Sequence, residues 1–360
     1  RAVSIHRRRT RGGGVGKPMI WLAEQVSGRL LDGFRAPLLA GAVALLVSWL
    51  LTPRVRELAI ARGAIDDPKS DDRRVHKEPT PRWGGLAIYA GLIASLVCVL
   101  PFAYPRDPFP IYLVAVLIIG AAIVVMGALD DLYQFSAKIQ ALSLLIAGVL
   151  VQFFFDPVGR VQIQGIATPH SSGSPHWFAF GLAAIPLTAL YIFVVTKTMD
   201  TIDGIDGLAS GIAGIAGATL SIIATYGEQP RVALVAAAVS GSAIGFLRHN
   251  YNPARIFMGT GGAQLLGFVL ACISIVGAFK TAAAVALVIP ILVFGVPILD
   301  AAIVVIRRVV NRQPITQADK RHVHHTLMHL GLNQRQTVWV LYCVAMALCA
   351  ILLLVVNRYG

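Results

Sequence analysis

Charge is scarce in this chain. Asp, Glu, Lys and Arg make up 14% of 360 residues, against roughly 25% in an average soluble domain. That is too little polar surface for one large soluble fold of this length. Cysteine is scarce as well: Cys98, Cys272, Cys343 and Cys349 all lie in apolar runs without C-x-x-C spacing. That pattern argues against a disulfide framework or a cysteine zinc site and leaves them as small packing groups. Acids are fewer than bases, 18 against 31, for a net charge of +13. The bases are spread between apolar runs, where they face lipid headgroups and set topology, so nucleic acid is not the expected partner.

Apolar sequence is abundant. Hydrophobic residues reach 56% and the mean hydropathy is +0.70, organised in blocks of about 20 residues, the length that crosses a bilayer core. The expected fold class is all-α, a polytopic helical membrane protein of about ten spans. These fall at 36–54, 84–104, 111–129, 138–155, 177–196, 208–226, 230–247, 262–279, 282–305 and 337–357. Residues 1–35 open with the basic, Gly-rich RAVSIHRRRTRGGGVGK. They are expected to form an extension, in part disordered or foreign to the natural chain, ahead of a single transmembrane domain over 36–357. No cleavable signal is expected, the first apolar block being a permanent span.

Eighteen of the 31 Lys and Arg fall in or beside the loops after the odd-numbered spans, five fall on the opposite side, and eight lie in residues 1–35. The positive-inside tendency puts the first set of loops in the cytoplasm, although the basic N-terminal segment falls on the other side of that assignment. The acids follow the same parity: Asp66, Asp67, Asp130, Asp131, Asp200, Asp203 and Asp206 all belong to the cytoplasmic set. Acids and bases gathered on one face place a site there, at the cytoplasmic surface of the membrane. On the other face, GRVQIQGIATP alternates in a way that predicts a short hairpin.

Four clusters carry chemistry. Asp130 and Asp131 close the apolar run AAIVVMGALDD, with Lys138 seven residues on. Adjacent carboxylates at a membrane boundary are costly unless paired, hydrated or bound to a cation; the alternative is a simple helix exit. In TKTMDTIDGIDGLASG, Asp200, Asp203 and Asp206 recur every third residue, which on a helical turn would put them on one face. Such a concentration of negative charge suits Mg²⁺, which prefers oxygen ligands and keeps waters and phosphates as partners; a solvated loop is the other reading. RHNYNPARIFMGTGGAQLLG joins Arg248, His249, Asn250 and Arg255 to a turn with Gly259, Gly261 and Gly262 that opens a helix, a candidate anion cradle. DKRHVHHTLMHLG sets His322, His324 and His325 beside Lys320 and Arg321, downstream of Arg307. A basic, hydrogen-bonding clamp on a diphosphate accounts for it better than a zinc site, since neither Cys nor acid completes a ligand set. The polar HKEPTPRWGGLAI carries His76, Lys77 and Arg82 and reads equally as a site or as a positive flank.

In this order, the clusters resemble the polyprenyl-phosphate N-acetylhexosamine-1-phosphate transferase family. HKEPTPRWGG, LDDLYQFSAK, DTIDGIDGLA, FLRHNYNPARIFMG and DKRHVHH are similar to five successive family motifs, covering residues 60–340. Asp319-x-x-His322-Val323-His324-His325 resembles the bacterial enzymes that move GlcNAc-1-phosphate onto undecaprenyl phosphate. The resemblance implies in-line attack by a polyprenyl phosphate on the β-phosphate of a UDP-sugar, UDP-GlcNAc foremost, with release of UMP, in cell-envelope glycan synthesis. It implies Mg²⁺, with Mn²⁺ as an alternative, and allows a homodimer. By that resemblance Asp130 and Asp131 serve the lipid phosphate and metal, and Asp203 and Asp206 the metal and nucleotide. Asn250 and Phe257 line the nucleotide pocket and the histidines meet the diphosphate, while Lys77, Arg82, Lys138, Lys197 and Arg307 add positive charge for the substrates.

Three positions depart from the family pattern. Its usual Asn-x-x-Asn stands here as Lys197-x-x-Asp200, and the acid of its usual Phe-Met-Gly-Asp is replaced by Thr260. The expectation is a swap in which Asp200 supplies the anionic metal ligand and Thr260 a hydroxyl, beside Asp131. The alternatives are an altered or inactive member, or a membrane transporter, which would instead place acids near mid-bilayer.

Overall fold

Inside a bilayer every backbone amide and carbonyl must be satisfied within the protein, and a helix does this within one segment. The apolar runs accordingly fold as helices in the computed structural model, which describes residues 17–68, 78–104, 108–157, 159–168, 176–278, 289, 291–312 and 322–359. In chain order they are α1 (Lys17–Ala61), α2 (Gly84–Ala103), α3 (Ile111–Tyr133), α4 (Ala137–Leu150), α5 (Ala184–Ile202), α6 (Leu208–Tyr226), α7 (Pro230–Asn250), α8 (Gly259–Ala278), α9 (Gly295–Val310), the short α10 (Val323–His329) and α11 (Gln334–Tyr359). Among the described residues, eight helices are long and apolar enough to cross a membrane. The chain is an all-α, multi-pass membrane protein.

Several boundaries differ from the expected spans. Residues 17–35 of the supposed extension are the first part of α1, while residues 1–16 lie outside the described residues. The fourth run is short: with a 3-10 turn it covers Ala137–Phe153, about 25 Å at 1.5 Å per residue. The fifth run starts late. His176–Ala179 pairs antiparallel with Gly165–Thr168, so the helix begins at Ala184 with Pro186 in its first turn, where a missing amide costs nothing. The expected external hairpin is thus present, but its second strand lies beyond GRVQIQGIATP. Residues 282–288 and 290 of the expected ninth span lie outside the described residues, and α9 covers its last part from Gly295.

The centre of the bundle is α8, which packs against α2, α3, α5, α6 and α7. Its glycine-rich start sets the distances. A Cβ on Gly127 of α3 would lie 2.2 Å from the Gly261 backbone, and one on Gly85 of α2 would lie 2.4 Å from the Gly262 amide nitrogen. No side chain fits at these crossings, so three helices meet backbone to backbone, as small residues permit in membrane bundles. This draws the end of α3, with its two aspartates, onto the start of α8.

Residues 62–68, 78–83, 134–136, 203–207, 251–258, 311–312 and 322–333 gather at one end of the bundle. A cavity of about 430 Å³ opens there, and a second of about 600 Å³, lined by Tyr112, Arg160 and Arg231 among others, opens at the opposite end.

Candidate active site

The first wall of the 430 Å³ cavity is a two-residue hairpin, Ile65–Asp66 paired with Thr80–Pro81. Pro81 accepts the Phe257 amide at 2.8 Å, while the Phe257 and Met258 carbonyls accept the Gly84 and Gly85 amides. The loop before α8 is thereby fastened to the start of α2. Arg82, between the two, donates to Asp66 at 2.5 Å and to Asp131 at 3.4 Å.

Asp131 sits at the last turn of α3. Its Oδ1 also accepts the Thr260 amide at 3.3 Å, while Oδ2 is buried without a hydrogen-bond partner. Gly259 adopts φ +71°, and a Cβ there would stand 2.2 Å from Oδ2, so the backbone turns against the carboxylate where only glycine fits. The expected anion cradle is corrected here. Gly261 and Gly262 are consumed by helix packing, and the Thr260 amide is taken by the protein's own Asp131.

Asp200, Asp203 and Asp206 all line the cavity, but not as one helical face. Helix α5 ends at Ile202 with Asp203 as its C-cap, and Gly207 at φ +82° starts α6, so the acids span a tight turn. Asp200 pairs with Lys197 at 2.6 Å and receives Gln264 at 3.4 Å. Asp206 accepts Asn252 at 2.9 Å and the Ala254 amide at 3.0 Å. Burial lifts the Asp203 carboxyl well above the ordinary range, and Asp200, Asp131 and Asp206 push the same way against Arg82.

On the facing wall, His322, His324 and His325 come from the segment that opens α10. The His322 and His324 rings stack with planes 3° apart, their centroids 5.7 Å apart. His324 Nε2 is buried without a partner, 2.9 Å from where a Gly204 Cβ would stand. Burial first, then His325 and His322, push the His324 imidazole down to about 3, so it is neutral at ordinary pH. Asp300, from the middle of α9, holds His322 Nδ1 at 2.8 Å.

The cavity brings together Arg82, Asp131, Asp200, Asp203, Asp206, Asn250, Phe257, Thr260, His322, His324 and His325. Asn250 works as a brace: its Oδ1 accepts the Gly207 amide and the Ser210 hydroxyl, and its Nδ2 donates to the Ile256 carbonyl. Asp130 is not in the lining; Phe135 N and Gln140 bind it at the α3–α4 turn. Lys138 is exposed and Arg307 lies on α9, neither of them in the lining. Lys197 reaches the cavity only through Asp200. Lys77 lies outside the described residues. Asp66, Gln140, Gln264 and Asp300 are participants the motifs did not single out. For Asp300 the signal existed, since an acid inside an apolar span is a functional candidate by its cost alone.

Among the described residues no three His, Cys, Asp or Glu side chains converge as a ready metal site. Mg²⁺, however, is commonly held by one or two carboxylates, with waters and substrate phosphates completing its octahedron. The unpartnered Asp131 oxygen and the excess negative charge around Asp203 fit such an ion.

Residues 113–278 match glycosyl transferase family 4. A Bacillus subtilis (strain 168) protein named "Probable undecaprenyl-phosphate N-acetylglucosaminyl 1-phosphate transferase" is 35% identical over 309 residues, covering 84% of this chain and 80% of its own length. The chain belongs to this transferase family. The decaprenyl-phosphate N-acetylglucosaminephosphotransferase of Mycobacterium tuberculosis (strain ATCC 25618 / H37Rv) is 31% identical over 341 residues, 84% of this chain and 78% of its own. The undecaprenyl-phosphate alpha-N-acetylglucosaminyl 1-phosphate transferase of Escherichia coli (strain K12) is 25% identical over 299 residues, 82% and 77%. The family match runs from α3 to α8, a stretch of chain that holds all the acids of the cavity except Asp66.

Proposed function

We propose that this family member transfers GlcNAc-1-phosphate from UDP-GlcNAc to undecaprenyl or a related polyprenyl phosphate at the cytoplasmic face of the inner membrane. An oxygen of the lipid phosphate attacks the β-phosphorus. The bond from that phosphorus to the oxygen bridging the α-phosphate breaks, and UMP leaves with that oxygen. Charge balances without a proton: two dianions give a dianionic lipid diphosphate and dianionic UMP. The reaction therefore asks for alignment and charge neutralisation more than for acid–base work.

The carrying observation is the cavity itself, in which five aspartates face three histidines and Arg82 at the end of a membrane bundle. Asp131 and Asp200, with Asp203 beside them, would hold Mg²⁺ or Mn²⁺. That ion supplies neutralisation of the diphosphate when bound. Arg82 and the histidines add hydrogen-bond donors, and Phe257 offers an apolar surface for the uracil.

The test is UMP release by purified protein given UDP-GlcNAc, undecaprenyl phosphate and Mg²⁺. Turnover that stops in EDTA and returns with Mg²⁺ is expected. Absence of UMP with every polyprenyl phosphate and UDP-N-acetylhexosamine tried would overturn the reading.

A further inference from the structure

Asp300 lies within ILVFGVPILDAAIVV and is 3% exposed. A lone carboxylate there costs several kcal/mol unless paired or hydrogen-bonded. Both of its oxygens serve one short segment of chain. Oδ2 meets His322 Nδ1 at 2.8 Å, and Oδ1 accepts the Val323 amide at 2.6 Å. His322 is the N-cap of α10 and offers that helix no side-chain bond, so an acid from a different helix caps the segment and grips its first ring together. The grip extends further, because His324 stacks on His322 and packs against Gly204 in the acidic turn.

A neutral imidazole carries its proton on one nitrogen, and the hydrogen bond made by the other face decides which. We infer that Asp300 is a positioning residue for the transfer reaction. It holds His322 by Nδ1 and turns Nε2 to the cavity, where the imidazolium form, with Asp300 as its counter-charge, donates from Nε2 to a diphosphate bound there. The inference rests on the proposed reading that a diphosphate occupies this cavity. Asp300 touches no substrate in this arrangement; it spares the reaction the search for a ring orientation, as a carboxylate behind a functional histidine does elsewhere.

The experiment uses the full chain in detergent. Asp300→Asn keeps the size of the side chain and removes its charge, and should lower kcat for UMP release by about 10- to 100-fold, with KM for UDP-GlcNAc within about twofold. His322→Gln retains an amide near the Nε2 position and breaks the link to Asp300. On that background Asp300→Asn should change kcat by less than about twofold, as two members of one unit do. An equal loss on both backgrounds would reduce Asp300 to a structural cap and overturn the inference.

A second measurement covers an Asp300→Asn protein that fails to fold. The nitrogen-15 signals of His322 in the wild type, assigned by their loss in His322→Gln, should show a protonated Nδ1 at every pH at which the ring is neutral. A neutral ring protonated at Nε2 would overturn the inference. This arm needs no turnover, so a wild type that releases no UMP would sink the proposed reaction while the ring still decides the role of Asp300.

Discussion

Lys197 and Asp200, one turn apart on α5, are joined by an ion pair of 2.6 Å. Lys197 also reaches Gln140 at 3.1 Å, and Gln140 donates to Asp130. The pair thus links the turn after α3 to the acidic turn after α5. The charge of Asp200 comes with its own counterion, which lets it stand beside Asp131 and Asp203 without substrate present.

The exchange of roles between Asp200 and Thr260 has a direct test, since both line the cavity. Asp200→Asn should raise the Mg²⁺ concentration for half-maximal UMP release by about tenfold, the lower end of the effect of losing a supporting ligand. Adding Thr260→Asp should recover most of that loss. Independent, additive effects on Mg²⁺ activation would show that the two positions do not share an ion.

The two neighbouring acids at the end of α3 should separate cleanly. Asp131→Asn, at the cavity, is expected to cut turnover at least about 100-fold with the thermal midpoint near wild type. Asp130→Asn, bound to Phe135 N and Gln140, should lower stability by about 1–3 kcal/mol and cost less activity. A reversal of these two profiles would put the wrong acid in the cavity.

Sequence reading reached the helical membrane class and singled out many of the side chains that line one cavity, because hydropathy and charge parity are properties of whole segments. It missed what depends on backbone approach. Gly261 and Gly262 read as a phosphate cradle, but whether a glycine serves a ligand or a neighbouring helix is decided by Gly85 and Gly127, far away in the chain. The three-residue spacing of Asp200, Asp203 and Asp206 suggested a helical face, yet α5 stops at Ile202 beside Gly204 and Gly207. Asp130 and Asp131 are indistinguishable as a dipeptide; the 100° between successive helical residues sends one to the cavity and the other to α4.

Protonation of buried His324 supplies a stability prediction. Its imidazole is pushed down to about 3 in the folded chain, against about 6.5 unfolded. Between those values the unfolded chain binds more protons, so stability is full above pH 6.5 and falls as pH drops towards 3. His324→Leu should reduce that slope by up to about 1.4 kcal/mol per pH unit. Thermal unfolding of both proteins from pH 7 to pH 4 measures it, and parallel curves would contradict the assignment.

Orientation in the membrane can be read with thiols. In a background without the four native cysteines, Gln134→Cys at the acidic end and Glu228→Cys at the opposite end should differ. An impermeant reagent added to intact cells is expected to label position 228 and spare position 134. Labelling of 134 alone would invert the topology.

The lining runs from Asp66 to His325, with the acids first in the chain and the histidines last. During synthesis the acids therefore emerge and enter the membrane long before the histidines do. A nascent chain that has reached α8 holds the aspartates without their facing wall, so on the proposed reaction it is expected to be inactive. Premature termination should then yield silent fragments rather than partly active ones.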